Sequence, residues 1–450
     1  MKRHLIAGHF GNTDRPSIPT PVDTTIVLVD FLHNGTLDHG IGRALNDLWK
    51  MGIFPTDIGL DIIILAAHVY AADTRISRQT ESQDTWTREI HLHVPVSNPV
   101  LWGSTTDILI SALGFLTGDK WTITFRDRNF TPQSKTKRDQ TLTTRFDSIC
   151  LLSGGLDSLI GAIDLLQSGA SPLFVSHASD GATSGAQVDC FSGLNTFYSK
   201  SFFNRIRAWI GFSNGLVPGV NSENTTRGRS FLFFALGIFA GTGLGKKFTL
   251  LAPENGLIAI NVPLDTLRLG SLSTRTTHPY YIARWNELLI RLGIDGSIVN
   301  PYWDKTKGEM VKACLNPKLL YKLIPDSLSC SSPTKGRWKG RPIEHCGYCL
   351  PCLIRRASLS YGLGSKVDPT TYTLSDLKAR NLNPSTPEGE TVRSFQVATE
   401  RLKSKPGIET VLISKPGPLN DISPADRKKL SGVYKRGMLE VAALLKGVKT

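Results

Sequence analysis

The chain is short of acid for its base. Thirty-eight aspartates and glutamates stand against 52 lysines and arginines, a formal net charge of +14. Cationic partners are thereby disfavoured, and nucleotides, nucleic acids or acidic protein surfaces favoured. Long apolar runs are also missing. The longest tempting apolar stretch, Ser230 to Gly245, is free of charge, carries four glycines and is shorter than the ~20 residues of a membrane span. No apolar run follows Met1-Lys2-Arg3-His4, so a secretory leader is not expected and a cytoplasmic location is. Cysteine is sparse and its number, seven, is odd, which argues against a disulfide framework. No internal repeat stands out.

What is present is Ser153-Gly154-Gly155-Leu156-Asp157-Ser158. The apolar run Ile149 to Leu152 before it reads as a short buried strand. After it, Leu159, Ile160, Ile163 and Leu166 recur at helical spacing. The pattern predicts strand, tight glycine turn, helix. Two glycines let a ligand approach the backbone. The helix start offers free N–H groups and a positive dipole end, and Ser153 and Ser158 add hydroxyls. This is a phosphate cradle without the lysine of a Walker A loop. The plain alternative is a glycine turn, and the full hexamer in this setting favours nucleotide binding over it.

Residues 1–140 read as a region of their own. Strands are expected at Thr24 to Leu32, around Ile90 to Val96 and at Trp121 to Phe125, with helices at Leu60 to Ala72 and Thr105 to Leu116, which suggests a small α+β domain. His91 and His93 share one strand face, where a solvated pair is a plainer reading than a metal site. Ser134 to Asp139 reads as a linker.

From about 145, strands alternate with helices, and Pro172 to His177 and Phe248 to Leu251 are the next two strands. The expected fold is α/β, a parallel sheet flanked by helices. Ligands in such sheets lie at the carboxyl ends of the strands. SGGLDS, the His177 loop and Pro253-Glu254-Asn255-Gly256 would all lie there. Arg227 and Arg229 stand at the entrance of the apolar helix that begins at Ser230. Cations there oppose the helix dipole but suit phosphate or carboxylate. The polar run Ser271, Ser273, Thr274, Arg275, Thr276, Thr277 and His278, with Tyr280 and Tyr281 beyond, has the groups to hold a planar heterocycle, although a capped loop is the plainer reading. Thr306 and Glu309 form a capping box, and Lys307 in that first turn is rationalised by a bound phosphate. Beyond about 366 the chain is polar until a terminal helix, Pro424 to Lys446, and shows no chemistry.

Four cysteines cluster as C-x15-C-x2-C-x2-C: Cys330, Cys346, Cys349 and Cys352. Such spacing closes a tetrahedral thiolate site whose usual occupant is zinc, with an iron–sulfur cluster as the rival. Lys335, Arg337, Lys339 and Arg341 would offset its charge. Four protein ligands leave no open position, so the site reads as structural.

Taken in order, SGGLDS, Arg227-Gly228-Arg229-Ser230, the Pro-x4-Thr-Lys of Pro301 to Lys307, and Ser327-Leu328-Ser329-Cys330 with CGYCxxCxxR resemble the QueC family. Its members are 7-cyano-7-deazaguanine synthases built on a PP-loop ATP pyrophosphatase fold. The similarity spans about 145 to 363. It implies ATP and Mg²⁺ at Ser153, Gly154, Gly155, Leu156, Asp157 and Ser158, and Zn²⁺ at the four cysteines with Arg355 behind them. Asp157, Lys307 and Arg229 would be catalytic. Ser230 stands where the family has an asparagine, and His177, Glu254, Arg275 and His278 enter the nucleotide site by their position near strand ends. The implied reaction adenylates the carboxylate of a 7-deazaguanine and passes it to a nitrogen nucleophile. Family members are about half this length and lack the N-terminal region, and the whole arrangement looks like the QueC-like proteins of the Qat anti-phage system. That implies partner proteins of the same defence operon and leaves the acceptor open between ammonia and a protein amine. The other classes considered are a tRNA-modifying enzyme and a non-catalytic nucleotide sensor. No aromatic basic stripe favours nucleic acid. The expected division is an α+β region at 1–140 for partner docking, the PP-loop domain at 145–365 and a polar tail at 366–450.

Overall fold

The computed structural model describes residues 2–18, 23–82, 84–134, 145–178, 180–264, 275–336, 340–364 and 366–450. Most of the expected linker, Ser271 to Thr274 of the polar run, and Arg337 and Lys339 lie outside the described residues.

Two all-parallel sheets frame the molecule. In the first, β1 (Arg3–His9) lies between β2 (Thr24–Asp30) and β3 (Glu89–Val96), and β4 (Lys120–Asp127) completes the order β2-β1-β3-β4. Every pairing is parallel, so this region is α/β and corrects the α+β expectation. The strand that sets the direction, β1, has only Leu5, Ile6 and Ala7 as its apolar run and is flanked by polar residues, so its periodicity is too short to register. Its His4 is buried, with Nε2 3.2 Å from Glu81. Helices α1 (Ile41–Lys50), α2 (Asp57–Arg75) and α3 (Thr106–Thr117) complete the region.

In the second sheet, β5 (Ser148–Leu151) is central. On one side lie β6 (Pro172–His177) and β7 (Asn204–Ala208), on the other β8 (Phe248–Leu251) and β9 (Gly296–Val299), giving the order β9-β8-β5-β6-β7. These pairings are parallel too. The helices along it are α4 (Leu156–Gln167), α5 (Gly181–Phe197), α6 (Arg229–Thr242), the short α7 (Gly256–Ile260) and α8 (Pro279–Arg291). The chain moves from β5 outward to β7 and then crosses to β8. That reversal opens a crevice at the carboxyl ends of β5 and β8, the place where such sheets bind ligands.

One apolar core spans both sheets, from Ile6 to Ile298. Its centre is the pair α2 and α6. Gly59 to Thr74 of α2 and Ser230 to Gly241 of α6 are buried all round, as helices with apolar residues on every face must be. At Gly59 a Cβ would lie 2.1 Å from Thr242 Oγ1, so only glycine permits that approach. A charged network pins the junction. Arg88 is fully buried, with Nη2 2.6 Å from Asp119 and 3.2 Å from Asp73, and Arg78 bonds the same two carboxylates. Asp73 also accepts from Gly228 N, at 2.7 Å, just before α6. Arg88→Met leaves buried carboxylates under-paired and should cost about 3–5 kcal/mol, measurable as a lower urea midpoint.

Beyond β9 come α9 (Lys307–Ala313), α10 (Leu350–Gly362), α11 (Pro387–Ser404) and α12 (Pro424–Leu444). The segment read as a polar tail is a packed helical unit. Val392 and Phe395 of α11 and Val433 and Met438 of α12 share a buried cluster with Ile260 and Leu353. Among the described residues no helix is long and apolar enough to cross a membrane.

Candidate functional site

The glycine loop follows β5, as expected. Gly154 has φ 82°, and a Cβ there would meet Gln187 N at 3.0 Å, so both conformation and space call for glycine. Ser153 Oγ donates to Ser158 Oγ at 3.1 Å, and Ser158 Oγ donates to the Gly155 carbonyl at 2.9 Å. No side chain of the N-cap residue closes the start of α4. Two serine hydroxyls accept weakly from its N–H groups instead: Ser153 from Gly155 and Ser329 from Leu156, each at 3.3 Å. The cysteine-bearing segment also holds the loop, because Leu328 N donates to the Gly154 carbonyl at 2.8 Å.

Asp157, in the first turn of α4, accepts from Asn255 N and Nδ2 at 3.1 and 2.7 Å. Its other oxygen lies 3.1 Å from Lys307 Nζ. Asn255 is itself the N-cap of α7, accepting from Ile258 N. Lys307 opens α9 behind the expected capping box of Thr306 and Glu309. The sequence did not announce the grip of α12 on that turn: Glu440 accepts from Thr306 Oγ1, and Arg436 pairs with Glu309. Glu254 accepts from Thr277 Oγ1. Burial, reinforced by the charge of Asp157, pushes the Glu254 carboxyl up to about 7.

These groups face one cavity of about 700 Å³, whose lining includes Ser153, Asp157, Glu254, Lys307, Ser329, Lys335, Tyr348, Ile354, Pro387 and Glu390. A second cavity of about 550 Å³ shares Ser331 and Lys335 with the first and adds Arg229, Asp180 and Thr183. Arg229 donates to the His177 carbonyl at 3.2 Å and, like Lys335, has no ion pair among the described residues.

Six of the expected nucleotide-site residues line neither cavity: Gly154 and Ser158 of the loop, and His177, Ser230, Arg275 and His278. The His177 ring is buried edge-on to Tyr70, 5.5 Å between centroids, and burial lowers its pKa to about 4. Ser230 is buried in the first turn of α6. Arg275 donates to the Phe115 carbonyl at 2.7 Å and lies over the Phe115 ring, and His278 caps α8 and packs on the same ring. Arg275 and His278 thus fasten α8 to the first sheet, and strand-end position could not tell an inward side chain from a cavity-facing one. Arg227 is spent similarly, over the Trp86 ring and on the Thr117 carbonyl. His91 and His93 share a face, and each ring lies 2.9 Å from Thr124 Oγ1.

The four cysteines converge. Their sulfurs lie within 4.8 Å of one another, with Cys330–Cys349 at 3.9 Å and Cys346–Cys352 at 3.8 Å. A tetrahedral ion with Zn–S near 2.3 Å has sulfur–sulfur edges of about 3.8 Å. Backbone N–H groups of Ser332 and Cys346 point at Cys330 Sγ, and that of Cys349 at Cys346 Sγ, as suits thiolates. The group could hold a metal ion such as zinc. Behind it Arg355 is fully buried and donates to Ser327 Oγ and the Ile324 carbonyl at 3.0 and 2.8 Å.

Fold and site together define an α/β protein with two parallel sheets, a loop-centred cavity and a four-cysteine group able to take a metal. Comparison with models of known protein families gives no match, and comparison with curated proteins gives none either.

Proposed function

We propose that this chain is an ATP pyrophosphatase of the PP-loop, QueC-like kind, which activates the carboxylate of a 7-deazaguanine as its adenylate and transfers it to a nitrogen nucleophile. The observation that carries this reading is the convergence of SGGLDS, Glu254, Lys307 and the Ser329–Lys335 segment on one cavity. SGGLDS, Lys307 and Ser329 belong to the stretches that bear the family resemblance, Glu254 is placed by its strand end alone, and Arg229 of the arginine pair lines the adjoining cavity.

In this reading the loop N–H groups, with Ser153 and Ser158, take the β- and γ-phosphates. The substrate carboxylate attacks the α-phosphorus, and the bond to the pyrophosphate oxygen breaks. Lys307 neutralises charge that grows on the leaving group. Asp157 is the carboxylate that would hold Mg²⁺ or its water, and the ion would supply further charge neutralisation when bound with ATP. Arg229 is placed for an anion in the second cavity. The incoming nitrogen then displaces AMP from the acyl carbon and gives up a proton, for which Glu254, a buried carboxyl of the cavity lining raised to about 7, is our candidate acceptor. The four cysteines would hold Zn²⁺ as a structural ion.

The acceptor we favour is an amine on a partner protein of an anti-phage operon, docked by the N-terminal region. An N-terminal α-amine, with a reference pKa near ~8, is partly neutral at cellular pH, whereas lysine near ~10.4 is not. The test combines enzyme, ATP, 7-carboxy-7-deazaguanine and the partner proteins, with AMP and pyrophosphate assayed and each intact protein weighed. One AMP per acylated partner is expected. Free nitrile with every partner mass unchanged restores ammonia as acceptor, and ATP binding without AMP release makes the chain a sensor.

A further inference from the structure

Helix α12 comes from the part of the chain that showed no chemistry, yet it closes on the turn that carries Lys307. The Glu440 carboxylate reaches both neighbours of that lysine. On one side it accepts from Thr306 Oγ1. On the other it lies against Gly308, where a Cβ would stand 2.6 Å from Oε2 and 2.8 Å from Oε1. Thr306 is fully buried, and the hydroxyl that donates to Glu440 also accepts from Glu309 N at 3.0 Å. One helical turn earlier, Arg436 holds the other half of the capping box. Its Nε and Nη2 donate to the two Glu309 oxygens at 2.5 and 3.1 Å, and Nη2 to the Asp304 carbonyl at 3.2 Å. The i, i+4 spacing puts Arg436 and Glu440 on one face of α12. Helix α9 has only seven residues, too few to hold its own first turn without such packing. The tip of Lys307 meets Asp157, 3.1 Å from Nζ, at the cavity. The anchor of that reach is thus clamped by a helix outside the stretch of family resemblance.

We propose that Glu440, backed by Arg436, is a positioning residue that fixes where Lys307 meets the leaving pyrophosphate. The proposal rests on the proposed function and extends its machinery to the C-terminal helix. Lysine carries its charge on a flexible four-carbon stem, so its aim depends on the backbone that bears it. A group that stabilises developing charge must be in place before the charge appears, and a displacement of about 1 Å costs up to about 100-fold. The competing account is that Glu440 only docks α12, as any contact between helices does.

The test uses the full-length wild type, Glu440→Gln and Gly308→Ala, each with and without Lys307→Met. Two quantities are measured: steady-state pyrophosphate release with ATP and 7-carboxy-7-deazaguanine, and binding of inorganic pyrophosphate with Mg²⁺. Glu440→Gln keeps the length of the side chain and removes its charge. Gly308→Ala pushes the carboxylate aside with a methyl group, while alanine favours the helix over glycine, so a weaker helix cannot account for its effect. Each substitution should lower kcat about 10- to 100-fold and leave KM for ATP within about threefold, because the glycine loop is untouched. The pyrophosphate Kd should rise about 10-fold, as for a weakened charge-assisted contact. On the Lys307→Met background neither substitution should shift either quantity by more than about twofold, because residues that act through one another are not additive.

Losses that multiply with that of Lys307→Met, or values like the wild type in either variant, make the grip structural and overturn the proposal. Gly308→Ala decides alone should Glu440→Gln fail to fold. If the wild type turns over no heterocycle but pyrophosphate binding shows the expected coupling, the proposed reaction falls and the positioning role stands. A wild type that binds no pyrophosphate leaves Lys307 without its anion and overturns both.

Discussion

Lys307→Met is expected to lower pyrophosphate release about 100- to 1,000-fold, the range seen when one group that stabilises transition-state charge is removed. The Lys307 side chain is only 8% exposed and opens a helix, where an ammonium opposes the dipole. Its partner in the protein is Asp157, 3.1 Å away. A salt bridge with no further role would explain that contact equally well, and the double variant Lys307→Met/Asp157→Asn separates the accounts. Removing both charges avoids leaving Asp157 unpaired among Asn255 and Glu254, so the melting temperature of the double variant should return toward that of the wild type. Turnover should remain at least about 100-fold down, because the ammonium and the carboxylate proposed for Mg²⁺ are then both missing. Recovery of turnover along with stability would reduce Lys307 to a structural role and remove the main cation from the proposed mechanism.

Metal removal should have the other large effect. Purified protein is expected to carry one metal ion per chain at the four cysteines, detectable by elemental analysis. Structural zinc contributes about 10–16 kcal/mol of apparent binding energy in small zinc domains, and that energy is also folding energy. Cys352→Ser removes a fully buried sulfur and should lower the melting temperature by about 2–4 °C per kcal/mol lost, on the scale of a 150- to 250-residue domain. A second consequence follows from the connections of the segment. Leu328 N bonds the Gly154 carbonyl, Ser329 Oγ meets Leu156 N, and Cys349 lines the cavity. Loosening the cysteine segment therefore releases the glycine loop, and the ATP KM of the variant should rise together with its loss of stability. Metal-free protein with unchanged melting and unchanged ATP KM would contradict both halves of this expectation.

Much of the site is legible in the chain because its signals are local. The strand ending at Leu151, the glycine loop and α4 follow one another closely along the chain. The capping box puts two reciprocal hydrogen bonds within four residues, Thr306 to Glu309. Three of the four cysteines lie within seven residues, and chemistry alone makes their spacing informative. Strands β6 and β8 fall where their apolar runs lie. Helix α11 left a fainter trace. Val392, Phe395, Ala398 and Leu402 recur at helical spacing, but the charged residues between them hid it among the prolines and serines around.

The sequence by itself determined the loop, the helix caps, the cysteine quartet and the α/β alternation of the second sheet, because each arises from neighbours in the chain and from backbone rules that act over a few residues. Tertiary structure alone decided the rest. The first sheet is parallel because β1 enters between β2 and β3, a pairing that no local pattern encodes. Arg275 and His278 turn to Phe115, more than 150 residues away in sequence, because the junction of two sheets needed cover there and packing overrode position. Glu390 lines the same cavity as Ser153 because α11 buries its apolar stripe with residues of α7, α10 and α12. Burial of that stripe sets where the opposite face of the helix points, and it brings a carboxylate from the polar end of the chain to the wall of the cavity.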